Sequence, residues 1–163
     1  MYIDNILSKM GKGGVVMPVT TKGEIFTEIV LEIFKLGGTL VAEGDRITSE
    51  YGLTSARWKV LGAISLAGSP LTVPQIARAK GLTRQGVQRL VDIMHKDGLL
   101  EFLENPEHKR AKLISLSKLG KKSYEKLDQK QKKWARSNTH QMNKDELEAT
   151  LSVLKKVSGQ FEG

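Results

Sequence analysis

Two helix patterns, each too short to stand alone, meet at Ala79-Lys80-Gly81-Leu82. The first opens at Thr72. Thr72 and Gln75 have the spacing of a capping box, in which each side chain satisfies the other's backbone N–H. Ile76 and Ala77 are its apolar positions, and Gly81 can end it by adopting the left-handed conformation of a helix C-terminus. The second opens at Thr83, with Leu82 and Val87 placed as a hydrophobic staple. Val87, Leu90, Val91 and Met94 stripe one side before Asp97-Gly98 stops it. Isolated helices shorter than about 12–15 residues are marginal in water. Each must therefore bury its stripe against the other and against neighbouring elements. Two helices joined by a turn of about three to four residues and crossing steeply form a helix-turn-helix.

The residues after Gly98 restrict the fold further. Leu99–Leu103 and Ala111–Leu116 read as strands, and the polar, proline-broken run 104–110 joins them as a hairpin with His108, Lys109 and Arg110 at its tip. This adds a wing. Upstream, Thr54 can cap a helix with Trp58, Leu61 and Ile64 as its buried stripe, and Gly68-Ser69-Pro70 is a turn. A longer helix starts from Thr21 or Glu24, with Ile25, Ile29, Ile33, Leu36 and Leu40 at spacings of three and four; Gly37-Gly38 weakens its later part. Ser117 caps a basic helix reaching about Thr139. Asn143 with Glu146 makes another capping box, and Leu147, Leu151 and Leu154 stripe the last helix. The expected fold is mainly α: a winged helix-turn-helix with a small β-hairpin wing, flanked by dimerisation helices. The expected organisation is a flexible arm over 1–23, an N-terminal dimerisation helix over 24–50, the winged helix-turn-helix over 51–116, and C-terminal helices over 117–163. The terminal stripes alone leave two uses open, covering the monomer's own core or a partner's.

Charge narrows the function. The chain has 26 Lys+Arg against 18 Asp+Glu, a net +8. Residues 52–116 hold ten basic against five acidic residues and 117–139 eight against two, whereas 24–51 hold two against six. An excess concentrated in the middle points to a polyanionic partner rather than to diffuse solubility. There is no cysteine, which excludes disulfides, thiolate metal sites and thiol redox sensing, and fits a cytoplasmic protein. No stretch approaches the roughly 18 apolar residues of a membrane span. The three histidines, His95, His108 and His140, lack HExxH spacing, and neither a P-loop nor a GxSxG elbow occurs. No enzyme, cofactor or metal is expected. The one conceivable metal site pairs His95 with His108, and lone histidines are more often structural or solvated.

On the second helix, at about 100° per residue, the face opposite Val87 holds Gln85, Arg89, Asp92 and Lys96, flanked by Arg84 and Gln88. Arginine and glutamine make bidentate contacts to guanine and adenine edges in the major groove. The N-terminal residues of a recognition helix reach the bases. Thr83, Arg84, Gln85, Gln88 and Arg89 are thus the candidates for reading double-stranded DNA, with Lys109 and Arg110 on the wing. A polar helix face is usually only solvated. Here capping, turn, wing and local charge agree, which favours the binding reading. The alternative is a winged-helix module for RNA or protein–protein contact without operator specificity.

From about 24 to 160 the chain resembles the MarR family of transcriptional regulators. The resemblance lies in Leu53-Thr54-Ser55-Ala56-Arg57-Trp58-Lys59-Val60-Leu61, Leu71-Thr72-Val73-Pro74-Gln75-Ile76-Ala77, Gly81 through Asp92, and Asn105-Pro106-Glu107-His108-Lys109-Arg110 running into Leu116-Ser117-Lys118-Leu119-Gly120. It implies a homodimer built from the first and last helices, bound to a pseudopalindromic operator as a repressor or activator, with repression the expected sign, and often released by a small-molecule ligand. It places that effector near Ile33 to Leu40, the helix around Trp58 and the start of the basic helix. The family wing carries an Asp two residues before its minor-groove Arg. Here His108 stands in that place before Arg110. When protonated, His108 can instead contact a phosphate.

Overall fold

The computed structural model describes residues 21–108 and 110–161. Among the described residues, six helices and one two-stranded sheet are arranged in the order α1 (Lys22–Thr48), α2 (Ser55–Ala67), α3 (Val73–Lys80), α4 (Arg84–Lys96), β1 (Leu100–Leu103), β2 (Leu113–Leu116), α5 (Lys118–Thr139) and α6 (Lys144–Phe161). A 3₁₀ turn, Ser49–Tyr51, comes after α1 and is closed by Gly52 in the left-handed region at φ 64°. By contacts the chain divides between Val41 and Ala42. Most of the expected arm, residues 1–20, lies outside the described residues.

In the first unit, α1 begins with a capping box. Glu24 accepts from the Thr21 N–H at 3.0 Å, and the Thr21 hydroxyl accepts from the Glu24 N–H at 3.2 Å. The helix runs unbroken through Gly37-Gly38. Each glycine costs about 1 kcal/mol relative to alanine, too little to break a helix of 27 residues. Ile25, Phe26, Ile33, Phe34, Leu36 and Leu40 are exposed, Phe34 at 74%.

The second unit holds the core. Val60, Leu61, Ile76, Val87, Val91, Met94, Leu100, Ile114 and Leu127 are almost wholly buried, each contributing about 1.5–3 kcal/mol by leaving water. They come from α2, α3, α4, both strands and α5, so the wing and the start of the long basic helix belong to the same core as the helix-turn-helix. Side-chain caps recur at the helix starts. Thr54 accepts from Arg57 N–H at 3.3 Å, Thr83 from Gly86 at 3.1 Å and Ser117 from Gly120 at 3.0 Å, while Gln75 Oε1 accepts from Thr72 N–H at 2.8 Å. At α6 the Asn143 side chain accepts from the amide of Asp145 at 2.9 Å, one residue short of the predicted partner Glu146. The strands pair antiparallel, Leu100 with Leu116 and Leu103 with Leu113. Leu71, just ahead of α3, adds a third rung: its N–H donates to Ile114 C=O at 3.0 Å and its C=O accepts from Ile114 N–H at 2.8 Å. By contrast α6 has no buried residue, and Leu147, Leu151, Val153 and Phe161 are exposed.

Residues 42–48, at the end of α1, are tied to α2 and α5 by polar contacts. Asp45 accepts from the Ser55 N–H at 2.6 Å, a cap supplied to α2 from ten residues upstream. Glu43 accepts from Trp134 Nε1 at 2.7 Å and takes both branches of the Arg46 guanidinium at 2.7 and 2.8 Å. Arg46, and with it Trp134, holds the Glu43 carboxyl at about 2, well below its ordinary 4.5. A carboxyl depressed in the folded state stabilises fully above its unfolded pKa, and that stabilisation is lost as protons bind. Chemical denaturation midpoints should therefore fall as pH drops from about 4.5 towards 2. Glu43→Gln should remove part of this acid limb. An acid limb of unchanged steepness in that variant would show that Glu43 contributes nothing to it.

Candidate nucleic-acid interface

Helix α4 is positioned from both ends. Gly81, at φ 60°, turns the chain out of α3, and Thr83 caps the new helix. At the far end Gly98, at φ 72°, turns it into β1, and Asp97 is paired with Arg57 of α2 at 2.9 Å. Between these anchors Val87, Val91 and Met94 are buried, so the opposite side has to face water. Arg84, Gln85, Gln88, Arg89, Asp92 and Lys96 are all exposed. Thr83 is exposed too, and its oxygen is engaged by the Gly86 N–H, leaving the hydroxyl proton to donate outward.

Arg84, Gln85 and Gln88 line one side of a cleft of about 620 Å³, and Arg110 and Lys112 of the wing line the other. Val73, Phe102 and Ile114 are among its apolar lining residues. The structure thus brings together three of the helix candidates and one wing candidate. Arg89 and Thr83 are not among the cleft residues, and Lys109 lies outside the described residues. Arg110 and His108 are exposed.

Two further residues of the wing, Lys112 and Asn105, are not among the candidate site residues read from the sequence. The ammonium of Lys112 sits 5.4 Å from the centre of the Phe102 ring. That cation–π contact holds a positive charge inside the cleft. Asn105 donates to Ala111 C=O at 2.9 Å and accepts from Glu107 N–H at 3.1 Å, and its own C=O accepts from His108 N–H at 3.2 Å. One residue thereby closes the tip on itself. An Asn ahead of a Pro is the sequence signal for such a turn. His95, the conceivable partner of His108 in a metal pair, is engaged otherwise. Its Nδ1 lies 2.9 Å from Leu100 C=O, and its ring packs 4.6 Å from Phe102. A carbonyl can only accept, so Nδ1 carries the proton. His95 thus fastens α4 to β1.

These elements define a winged helix-turn-helix. Solved structures share the fold: the transcriptional regulator BldR from Sulfolobus solfataricus superposes with a TM-score of 0.78 at 15% identity, over 86% of this chain and 99% of that one. Residues 51–111 match the model of the MarR family. An uncharacterized protein of Mycobacterium tuberculosis is 39% identical over 94 residues, covering 58% of this chain and 64% of the relative. The transcriptional activatory protein BadR of Rhodopseudomonas palustris is 27% identical over 110 residues, covering 66% and 63%. The chain spans less than two thirds of the length of either relative.

Proposed function

We propose that the protein is a sequence-specific regulator of transcription that binds double-stranded DNA as a homodimer on a pseudopalindromic operator, as a repressor released by a small-molecule effector. The observation that carries this reading is the exposed set Arg84, Gln85, Gln88 and Arg89 on the first two turns of a helix whose other side is locked in the core, three of them sharing a cleft with the wing residue Arg110. Such a helix offers base-reading groups to the major groove without having to reorder. Two-fold symmetry supplies two such helices to half-sites about one helical turn apart. An effector acts only by binding one spacing of those helices more tightly than the other.

Arg89→Ala should cost about 1–3 kcal/mol on the operator and relax preference at one position. Fluorescence anisotropy on operator and random duplexes measures both. Equal losses on the two duplexes would reassign Arg89 to the phosphate backbone, and tighter binding to single-stranded RNA than to any duplex would favour the RNA-module alternative.

The exposed apolar stripes of α1 and α6 support the homodimer, since large apolar side chains left in water are the mark of an uncovered interface. Deleting residues 1–40 should give a monomeric or insoluble chain that no longer binds a palindrome. A truncated protein that sediments as a dimer would place the interface elsewhere.

A further inference from the structure

Asp92 is out of place on a surface meant for phosphates. It is exposed on the duplex-facing side of α4 and lines the same cleft as Arg84, Arg110 and Lys112, where a carboxylate repels the polyanion that the arginines attract. Its partner explains it. Gln88 Nε2 donates to Asp92 Oδ1 at 2.9 Å, one helical turn apart on the same side. An ionised carboxylate accepts and cannot donate. The atom of the Gln88 amide that faces Asp92 must therefore be the nitrogen, and the oxygen takes the other branch of the planar amide. A free glutamine can flip to suit either kind of base edge, but one tethered to a carboxylate cannot.

We infer that Asp92 is a positioning residue that locks the Gln88 amide with its oxygen towards the duplex, so that Gln88 selects an amino base, adenine or cytosine, over a keto base, guanine or thymine, on the strand it contacts. The inference rests on the proposed DNA-binding role and adds the class of base that one side chain takes. The chemistry comes from the major-groove edges. Adenine N6 and cytosine N4 are donors that an amide oxygen can accept from, whereas guanine O6 and thymine O4 are acceptors that face it with like polarity. The second N–H of Gln88 can donate to N7, which both purines share, so adenine alone satisfies both arms of the amide, while guanine leaves the oxygen arm against its O6.

The test is binding-site selection from a randomised duplex pool with the full-length protein and three variants. Gln88→Ala identifies the position that Gln88 reads. At that position the wild type should favour adenine or cytosine over guanine or thymine by about tenfold or more. Asp92→Ala frees the amide to flip and should bring that ratio near unity at that position alone, leaving the preferences set by the other side chains in place. Asp92→Asn keeps an acceptor oxygen and should retain more of the ratio than Asp92→Ala. A keto base favoured by the wild type, an unchanged ratio in Asp92→Ala, an equal loss in the Ala and Asn variants, or no position altered by Gln88→Ala would each overturn the inference. A wild type that enriches no duplex at all would overturn the DNA-binding role beneath it.

Discussion

Raising the salt from 50 to 200 mM is expected to weaken duplex binding by about 10³–10⁵, the loss for a protein that neutralises roughly 6–10 phosphates and releases their counterions. A dimer reaches that number if each protomer contributes about three to five cations, again as an order of magnitude. Arg84, Arg110 and Lys112 share the cleft, and Arg89 and Lys96 lie exposed on the same helix. The basic run of α5 strengthens the field without having to touch the duplex, and part of it is already spent: Lys130 pairs with Glu50, and Lys132 with Asp128 at 2.6 Å. Plotting log K against log salt gives the number of phosphates directly. A slope shallower than about two would mean that neither the helix nor the wing is seated on the backbone. Because the term is electrostatic, random duplex should show most of the same slope, and operator preference should survive as an offset between parallel lines.

Gly120→Ala should damage the fold more than any other glycine-to-alanine change in the helices. A Cβ at this position would run into the carbonyl oxygen of Leu99 and lie 3.2 Å from its carbonyl carbon. Both obstacles are backbone. Leu99 is pinned on each side, its N–H donating to Met94 C=O at 2.9 Å and its C=O accepting from Ser117 N–H at 3.1 Å. In an open helix the change gains up to about 1 kcal/mol of propensity. Here overpacking reverses the sign, at about 1–3 kcal/mol or more. Thermal denaturation by circular dichroism should show the midpoint lowered by several degrees. A variant as stable as the wild type would mean that the start of α5 is free to move away from β1.

The helix-turn-helix was legible because its signals are local. Thr72 with Gln75, Gly81, Thr83 and the stripe from Val87 to Met94 each act within a few residues, and the structure carries every one of them. Ser117 was legible as a cap for the same reason. Leu127 was not. It sits in a charged stretch of α5, between Lys126 and Asp128, and only the tertiary fold reveals that it is buried in the core. Leu71 was equally hidden, since a bridge of a single residue leaves no alternation to read. The polar ties from Glu43 to Trp134 and from Asp45 to Ser55 cross 91 and ten residues of sequence, beyond the reach of any spacing rule. Within the candidate site the side chains facing water could be placed by helical geometry. Lys112 depends on a ring from the opposite strand, and the Gln88–Asp92 bond depends on rotamers that a set of exposed residues does not contain.

The wing also separates what can drift from what cannot. Its tip is closed by Asn105 on its own backbone, whereas its root is knotted at Ser117, whose hydroxyl donates to Gly98 C=O at 2.6 Å while accepting from Gly120 N–H. A tip built this way is an exchangeable cassette. Loops of other lengths and charges, joined between Leu103 and Leu113, would change the reach and charge of the wing without disturbing how α4 is seated. An insertion of one residue at the root would shift strand, helix and cap together.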